Sequence, residues 1–361
     1  MQISAEKTSG TYKDSFNEES SPDKAEKVVK LTQPKSEKFS AGTNEPIDKN
    51  NMIFLIMLLH GVAILIPWSS FMTIAPVYYT CYKFRKFDEY GIEDTTYSHN
   101  FFSFIALASQ GPNLLLNFLN LFFTFRSVSY GLGKRILVSV SIIATICCTT
   151  IIFVFIDSSN WVQEFFWITM LSIVILHSAN GIFQNSLFGI AANLPHKMTT
   201  AIMIGSNLCG IYTAVLALIA ITMSPSPKIS ATMFFSISLI TILLCAVSFI
   251  YLSKSPYYLY HMKNAEKKQT SSNVESENTV ALKWKVYKEI WKEGSIHFYN
   301  VFIVMFVTLA IFPAIQVHIR ERAGFVIPRQ YFTLIFTFLS FAFFSMIGAL
   351  ASKWILWVRM P

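Results

Sequence analysis

Apolar residues in this chain gather into long unbroken runs instead of alternating or recurring every third or fourth position. Eight runs follow a polar beginning: approximately Met52 to Tyr79, His99 to Phe125, Gly133 to Ile156, Phe165 to Leu194, Thr199 to Met223, Ile229 to Leu252, Phe298 to Val317 and Gln330 to Trp357. Each is near the roughly 20 residues that carry a helix across about 30 Å of hydrocarbon, and the fourth is long enough to tilt or protrude. The pattern predicts an all-α integral membrane protein, a multi-helix bundle of about eight transmembrane helices. Residues 1–51 differ: rich in Lys, Glu, Ser, Asn and Pro without apolar periodicity, they bury too little surface to offset their ordering entropy and read as a disordered tail. No short apolar core precedes the first run, so that run reads as an uncleaved anchor.

Composition agrees with the bilayer as solvent. Hydrophobic residues make up 53% and charged residues 14%, too few charges to coat a soluble surface. Charge then orients the chain. With the tail inside, 22 of the 29 Lys and Arg residues fall on the inner side and 7 on the outer, which predicts a cytoplasmic N-terminus. The net charge of +8 thus faces an anionic inner leaflet, and nucleic-acid binding is a poor reading of it. The expected organisation is a cytoplasmic tail (1–51), a six-helix bundle (52–253), a cytoplasmic loop (254–297) and a partial second bundle of two helices (298–361). Within the loop, Val280 to Lys292 interleaves Lys with apolar residues and could lie on the membrane around Trp284 and Trp291, although a plain solvated linker is the simpler reading.

Enzyme signatures are missing: no His-Glu-x-x-His, no nucleophile elbow, no phosphate loop and no Cys/His pair at metal spacing, so neither catalysis nor a cofactor is expected. Four cysteines (Cys147, Cys148, Cys209, Cys245) sit in apolar runs as small hydrophobes, and no disulfide framework follows. None of the eight runs contains Asp or Glu, which argues against proton coupling. Neutral polar groups at membrane depth remain, suited to a neutral polar solute.

Those groups cluster. The first run carries His60-Gly61, then Pro67-Trp68-Ser69 and Met72; Pro67 interrupts the helix ladder and Trp68 offers a face for a flat ring. The second carries Gln110, Pro112 and Asn113. Trp68 reads equally as an interfacial anchor, and each Pro as a packing kink. The fourth and fifth runs hold Gln184-Asn185-Ser186-Leu187-Phe188-Gly189, Leu194-Pro195 and Gly205-Ser206-Asn207-Leu208-Cys209-Gly210. Gly205 and Gly210 read as sites of close helix packing, while Gln184 and Asn207 are amides that need a partner, either another helix or a solute.

His60-Gly61 through Pro67-Trp68, Gln184-x-Ser186-Leu187-Phe188-Gly189 with Leu194-Pro195, the Gly205–Gly210 stretch and Phe312-Pro313-Ala314 together resemble the first, fourth, fifth and seventh helices of equilibrative nucleoside transporters, over roughly residues 52 to 348. The resemblance implies eleven helices, six plus five, related to the major facilitator architecture and working by alternating access on nucleosides or nucleobases. It implies that Trp68, Met72, Gln110, Asn113 and Gln184 line the pocket, with Ser69 where the family usually has Asn. Arg135 matches a basic residue early in the third helix, a structural or gating contact, and Pro67, Gly205, Gly210 and Gly348 are carried over as structural positions. Where the family has Asp-x-x-Gly-Arg in its eighth helix, with both charges contacting the solute or its surroundings, this chain reads Ser345-Met346-Ile347-Gly348-Ala349, so the resemblance places Ser345, like Ser69, at a substrate-binding position. Losing both charges leaves no buried orphan, and the departure predicts altered cargo preference or poor transport. Since the sequence ends at Pro361, the expectation is a partial product, or a second bundle completed by another copy, as a homo-oligomer or in a pair with a full-length transporter. The plasma membrane is the expected location. Two other readings are a non-transporting remnant or regulator and a receptor, the latter disfavoured by a cytoplasmic N-terminus.

Overall fold

The computed structural model describes residues 46–354 other than 89–90, 124–130, 224–225, 275–278, 313–314, 317–318, 320, 323 and 325. The expected disordered tail therefore lies, up to residue 45, outside the described residues, as do Pro313, Ala314 and Trp357.

Six long helices follow one another: α1 (Met52–Ile74), α2 (Thr96–Phe123), α3 (Leu132–Phe155), α4 (Val162–Ala191), α5 (His196–Met223) and α6 (Pro227–Lys254). Then come α7 (Pro256–Val274), α8 (Thr279–Ile311), α9 (Arg329–Thr333), a π-helical stretch Leu334–Leu339 and α10 (Ser340–Trp354). The architecture is the expected helical bundle, with one addition: between α1 and α2, β1 (Arg85–Asp88) and β2 (Gly91–Asp94) form a short antiparallel hairpin pairing Arg85 with Asp94.

Among the described residues, six helical stretches are long and apolar enough to cross a membrane: Lys49–Ile74, Leu132–Phe155, Val162–Ala191, His196–Met223, Pro227–Lys254 and Tyr331–Ala351. The predicted runs outside this set belong to α2, where Gln110, Asn113 and Asn117 interrupt the apolar sequence, and to α8. Here the structure departs from expectation. The segment read as a loop at 254–297 is largely helical, and α8 starts at Thr279 instead of Phe298. The Lys-rich stretch Val280 to Lys292 is consequently the beginning of α8, not a separate surface helix; the Trp284 side chain lies outside those described. At 1.5 Å per residue, the 33 residues of α8 extend about 50 Å, well beyond the hydrocarbon thickness. Every side chain from Val301 to Val307 is exposed, so no described element covers this stretch on any face.

The centre of the bundle is α1, apolar on nearly all sides because neighbours surround it: Met57, Ala63, Ile66 and Ile74 are fully buried. Its tightest partner is α5. A Cβ at Gly61 would stand 2.3 Å from the Ile202 carbonyl oxygen, and one at Gly205 would stand 2.1 Å from that of Leu58. Only glycine lets the two backbones approach so closely, as small residues do between membrane helices. Across its other flank, Ser70 donates to Ser238 of α6 at 3.2 Å. α4 packs against α2 and α3, and Gly181 of α4 receives Asn113, whose Oδ1 would lie 2.9 Å from an added Cβ.

Candidate functional site

Three helix stripes with recurring three- and four-residue spacing converge on one partly open cavity of about 130 Å³. α1 contributes Leu65, Trp68, Ser69, Met72 and Thr73, the turns around Pro67, where the proline has removed one ladder hydrogen bond. α5 contributes Ser206, Asn207, Gly210 and Thr213. The opposite wall comes from Phe312, just after α8, with Phe338, Phe341, Ala342 and Ser345. Phe338 belongs to the π-helical stretch, a local widening of the helix often found at functional sites. Phe312 and Phe341 stack with ring centroids 3.9 Å apart and planes 8° from parallel, forming an aromatic wall opposite α1.

Among the described residues the lining contains no ionisable side chain. Its polar groups are hydroxyls, one indole and one primary amide, and several are already engaged. The Ser206 hydroxyl lies within hydrogen-bond distance of Ile202 O (2.9 Å) and Gly61 O (3.2 Å), and Thr213 donates to Cys209 O at 3.0 Å. Ser345 of α10 donates to Asn207 Oδ1 of α5 at 2.9 Å, while Asn207 Nδ2 donates to Met203 O of its own helix, also at 2.9 Å. Gly210 sets the distance between these two helices, since a Cβ there would lie 2.8 Å from Ala342 Cβ. An uncharged cavity with one aromatic wall and a few fixed polar groups can hold a flat, neutral, hydrogen-bonding solute.

Of the residues read from sequence as substrate-binding, Trp68, Ser69, Met72 and Ser345 meet at this cavity. Gln110, Asn113 and Gln184 do not line it. They belong to the α2–α4 side of the bundle, where Asn113 rests on Gly181 and its Oδ1 accepts from Asn117 Nδ2 at 3.0 Å. Trp68 stands between the two regions: it lines the cavity and meets His177 of α4 edge-on, with centroids 6.2 Å apart. Behind it, His177 Nε2 and Asn180 Oδ1 are buried without a hydrogen-bond partner among the described residues. Among the structural positions, Pro67 is buried, Gly205 and Gly210 are at close helix contacts, and Gly348 has open space around its Cα. Arg135 lies in the first turn of α3, away from the cavity. Sequence reasoning singled out Asn207 as an amide needing a partner but did not place it at the site. The stripes 206, 210, 213 and 338, 341, 345 carried a usable signal in their helical spacing.

At one end of the bundle, outside the cavity, Lys83 caps the end of α3. Its Nζ donates to Ile156 O and sits 5.2 Å from the Phe165 ring centroid, and Lys228 reaches Phe155 O at 3.5 Å. Burial lowers the Lys83 ammonium from 10.5 to about 8; neighbouring Lys228 acts in the same direction and Asp157 opposes it.

Fold and apolar helices together define a helical membrane protein, and its described residues enclose an uncharged, partly aromatic cavity. The chain belongs to the nucleoside transporter family, whose pattern its residues 170–360, just over half of the sequence, match. This is a family of transporters, not of enzymes. Equilibrative nucleoside transporter 3 of Rattus norvegicus is 26% identical over 334 residues, covering 87% of this chain and 69% of its own length. Equilibrative nucleoside transporter 1 of Homo sapiens is 25% identical over 361 residues, with 87% and 77% covered. An Arabidopsis thaliana equilibrative nucleotide transporter 1 is 21% identical over 276 residues, with 74% and 58% covered.

Proposed function

We propose that this protein passes nucleosides or nucleobases across a membrane, down their gradient, by alternating access around the cavity between α1, α5 and α10. The observation that carries the reading is the cavity itself: Trp68, Phe338 and Phe341 line it together with hydroxyls and an amide, and none of its described residues is charged. Such a site exchanges the hydration of a flat neutral solute for fixed hydrogen bonds and ring contacts. With no Asp or Glu in any apolar run, ion coupling has no obvious carrier. Helices α1 to α6 form the first bundle, and α8 to α10 belong to a second that moves against it.

In this reading the N-terminus is cytoplasmic and the host is the plasma membrane, an orientation supported by the division of 22 against 7 among the 29 Lys and Arg residues. The test is uptake of labelled adenosine, uridine, adenine and uracil by proteoliposomes carrying the full chain, with Trp68→Ala as control. Uptake that depends on Trp68 supports the proposal; no uptake and no binding of any of the four overturns it.

One observation favours a second reading, a non-transporting partner of another transporter chain. The stretch Val301 to Val307 of α8 is exposed around its whole circumference, leaving a helix of the second bundle without a described neighbour. Under that reading the chain alone binds no nucleoside, and it co-purifies with a complete transporter or with a second copy of itself.

A further inference from the structure

Among the described residues of the cavity lining, the amide of Asn207 is the one group that holds a donor and an acceptor in a single plane. Its orientation is fixed by two contacts. Nδ2 faces the Met203 carbonyl, which only accepts, and Oδ1 receives the Ser345 hydroxyl, each at 2.9 Å. A flipped amide would set oxygen against the Met203 carbonyl oxygen, so the assignment follows from the network. One amide hydrogen and one lone pair of Oδ1 remain. The neighbouring hydroxyls offer less: Ser206 and Thr213 are committed to backbone carbonyls, and Ser69 is a single point, 3.9 Å from Cys209 Sγ.

We infer that Asn207 determines specificity by reading a donor–acceptor edge of the base, and that Ser345 is the positioning residue that holds the amide in register. The inference rests on the proposed transport of nucleosides or nucleobases and names the group that discriminates among them. Its chemistry is general: a carboxamide pairs in two-point fashion with an edge that sets an amino or imino hydrogen beside a ring nitrogen or carbonyl, as between Asn and adenine. Trp68, on the facing helix, supplies ring contact without regard to that edge. The cavity thereby divides its work: α1 accepts any flat ring, whereas α5 and α10 ask which edge it presents.

The test uses the full chain in lipid nanodiscs, titrated with two pairs of probes: adenosine against purine riboside, which lacks the 6-amino group, and uridine against 3-methyluridine, whose imino hydrogen is blocked. The expected result is that the unaltered protein prefers the intact edge about tenfold in at least one pair. In Asn207→Ala that preference falls to less than about twofold: adenosine loses both contacts of its edge and weakens most, purine riboside loses at most the one to its remaining ring nitrogen, and its retained binding reports that the variant is folded. Ser345→Ala keeps the amide but frees its rotation and lies between the two. The inference is overturned if Asn207→Ala weakens both members of each pair equally, or if the preference survives. Should the unaltered protein bind all four probes without discrimination, the inference alone fails. Should it bind none, the transport proposal fails and takes the inference with it.

Discussion

Gly61 of α1 and Gly205 of α5 face each other at the tightest crossing in the bundle: a Cβ on Gly205 would lie 3.0 Å from Gly61 Cα and 2.1 Å from Leu58 O. The obstacle is backbone, which cannot swing aside as a flexible side chain can. Gly205→Ala should therefore push α1 from α5 and cost roughly 1–3 kcal/mol, the usual penalty of overpacking. Gly348, with nothing near its Cα, is the matched control, and Gly348→Ala should change stability by no more than about 1 kcal/mol, in the favourable direction, through helix propensity. Thermal melts in detergent decide; equal melting of the two variants would remove the close crossing as a structural requirement.

The contact of Gly210 with Ala342 is of another kind, because it sets α5 against α10 where both line the cavity. Gly210→Ala brings one methyl against another and should lower nucleoside binding by shifting α10, with the Ser345–Asn207 hydrogen bond weakened as a result. Ala342→Gly removes the opposing methyl. The double variant Gly210→Ala/Ala342→Gly should recover most of the lost affinity, whereas two independent effects would add.

Trp68 is expected to matter through its ring. Trp68→Ala should cut nucleoside affinity by about tenfold or more, and Trp68→Phe should retain part of it, since aromatic contact is worth about 0.5–1.5 kcal/mol beyond the area it buries. Binding titrations against one nucleoside separate the two variants. Equal affinity in all three proteins would move the solute site away from α1. Gln184→Ala, by contrast, leaves the cavity lining intact and should have the smaller effect.

Lys83 gives its end of the bundle a pH dependence of unusual sign. Its ammonium is lowered to about 8 from 10.5, mainly by burial, so between those values the unfolded chain binds a proton that the folded chain does not. Stability therefore rises with pH across that window where Lys83 is concerned, and below about 8 the buried charge carries its full desolvation cost. Lys83→Met should abolish this component. The check is the difference in melting temperature between the two proteins at pH 7, 8, 9 and 10: the variant's advantage should shrink as pH rises, and a constant difference would show that the charge is not desolvated.

How much of this was legible beforehand depends on the distance over which each signal acts. The apolar runs that became α1 and α3 to α6 could be read because crossing a hydrocarbon layer is a local demand on composition. Pro67, Trp68, Ser69 and Met72 could be grouped because they share consecutive turns of one helix. Gln110, Asn113 and Gln184 were expected in the pocket from the family resemblance, and they lie outside this cavity's lining; their polarity alone does not say which flank of a helix faces a solute. Asn113 is satisfied by Asn117 and by the notch at Gly181. The start of α8 was misplaced because hydropathy marks where the bilayer begins, and a helix may continue into water beyond it.

Residue order alone determined that this chain lives in a membrane as a helical bundle whose apolar runs carry no Asp or Glu, because burying backbone and charge in lipid has so few solutions. It also determined the glycines, through which α1 and α5 were free to meet. Only the tertiary structure decided that Asn207 and Ser345, 138 positions apart, share a hydrogen bond at the cavity, and that Phe338 and Phe341 line the same cavity as Trp68. Such pairings arise from how helices cross and rotate against one another, a collective outcome of packing that no single segment carries.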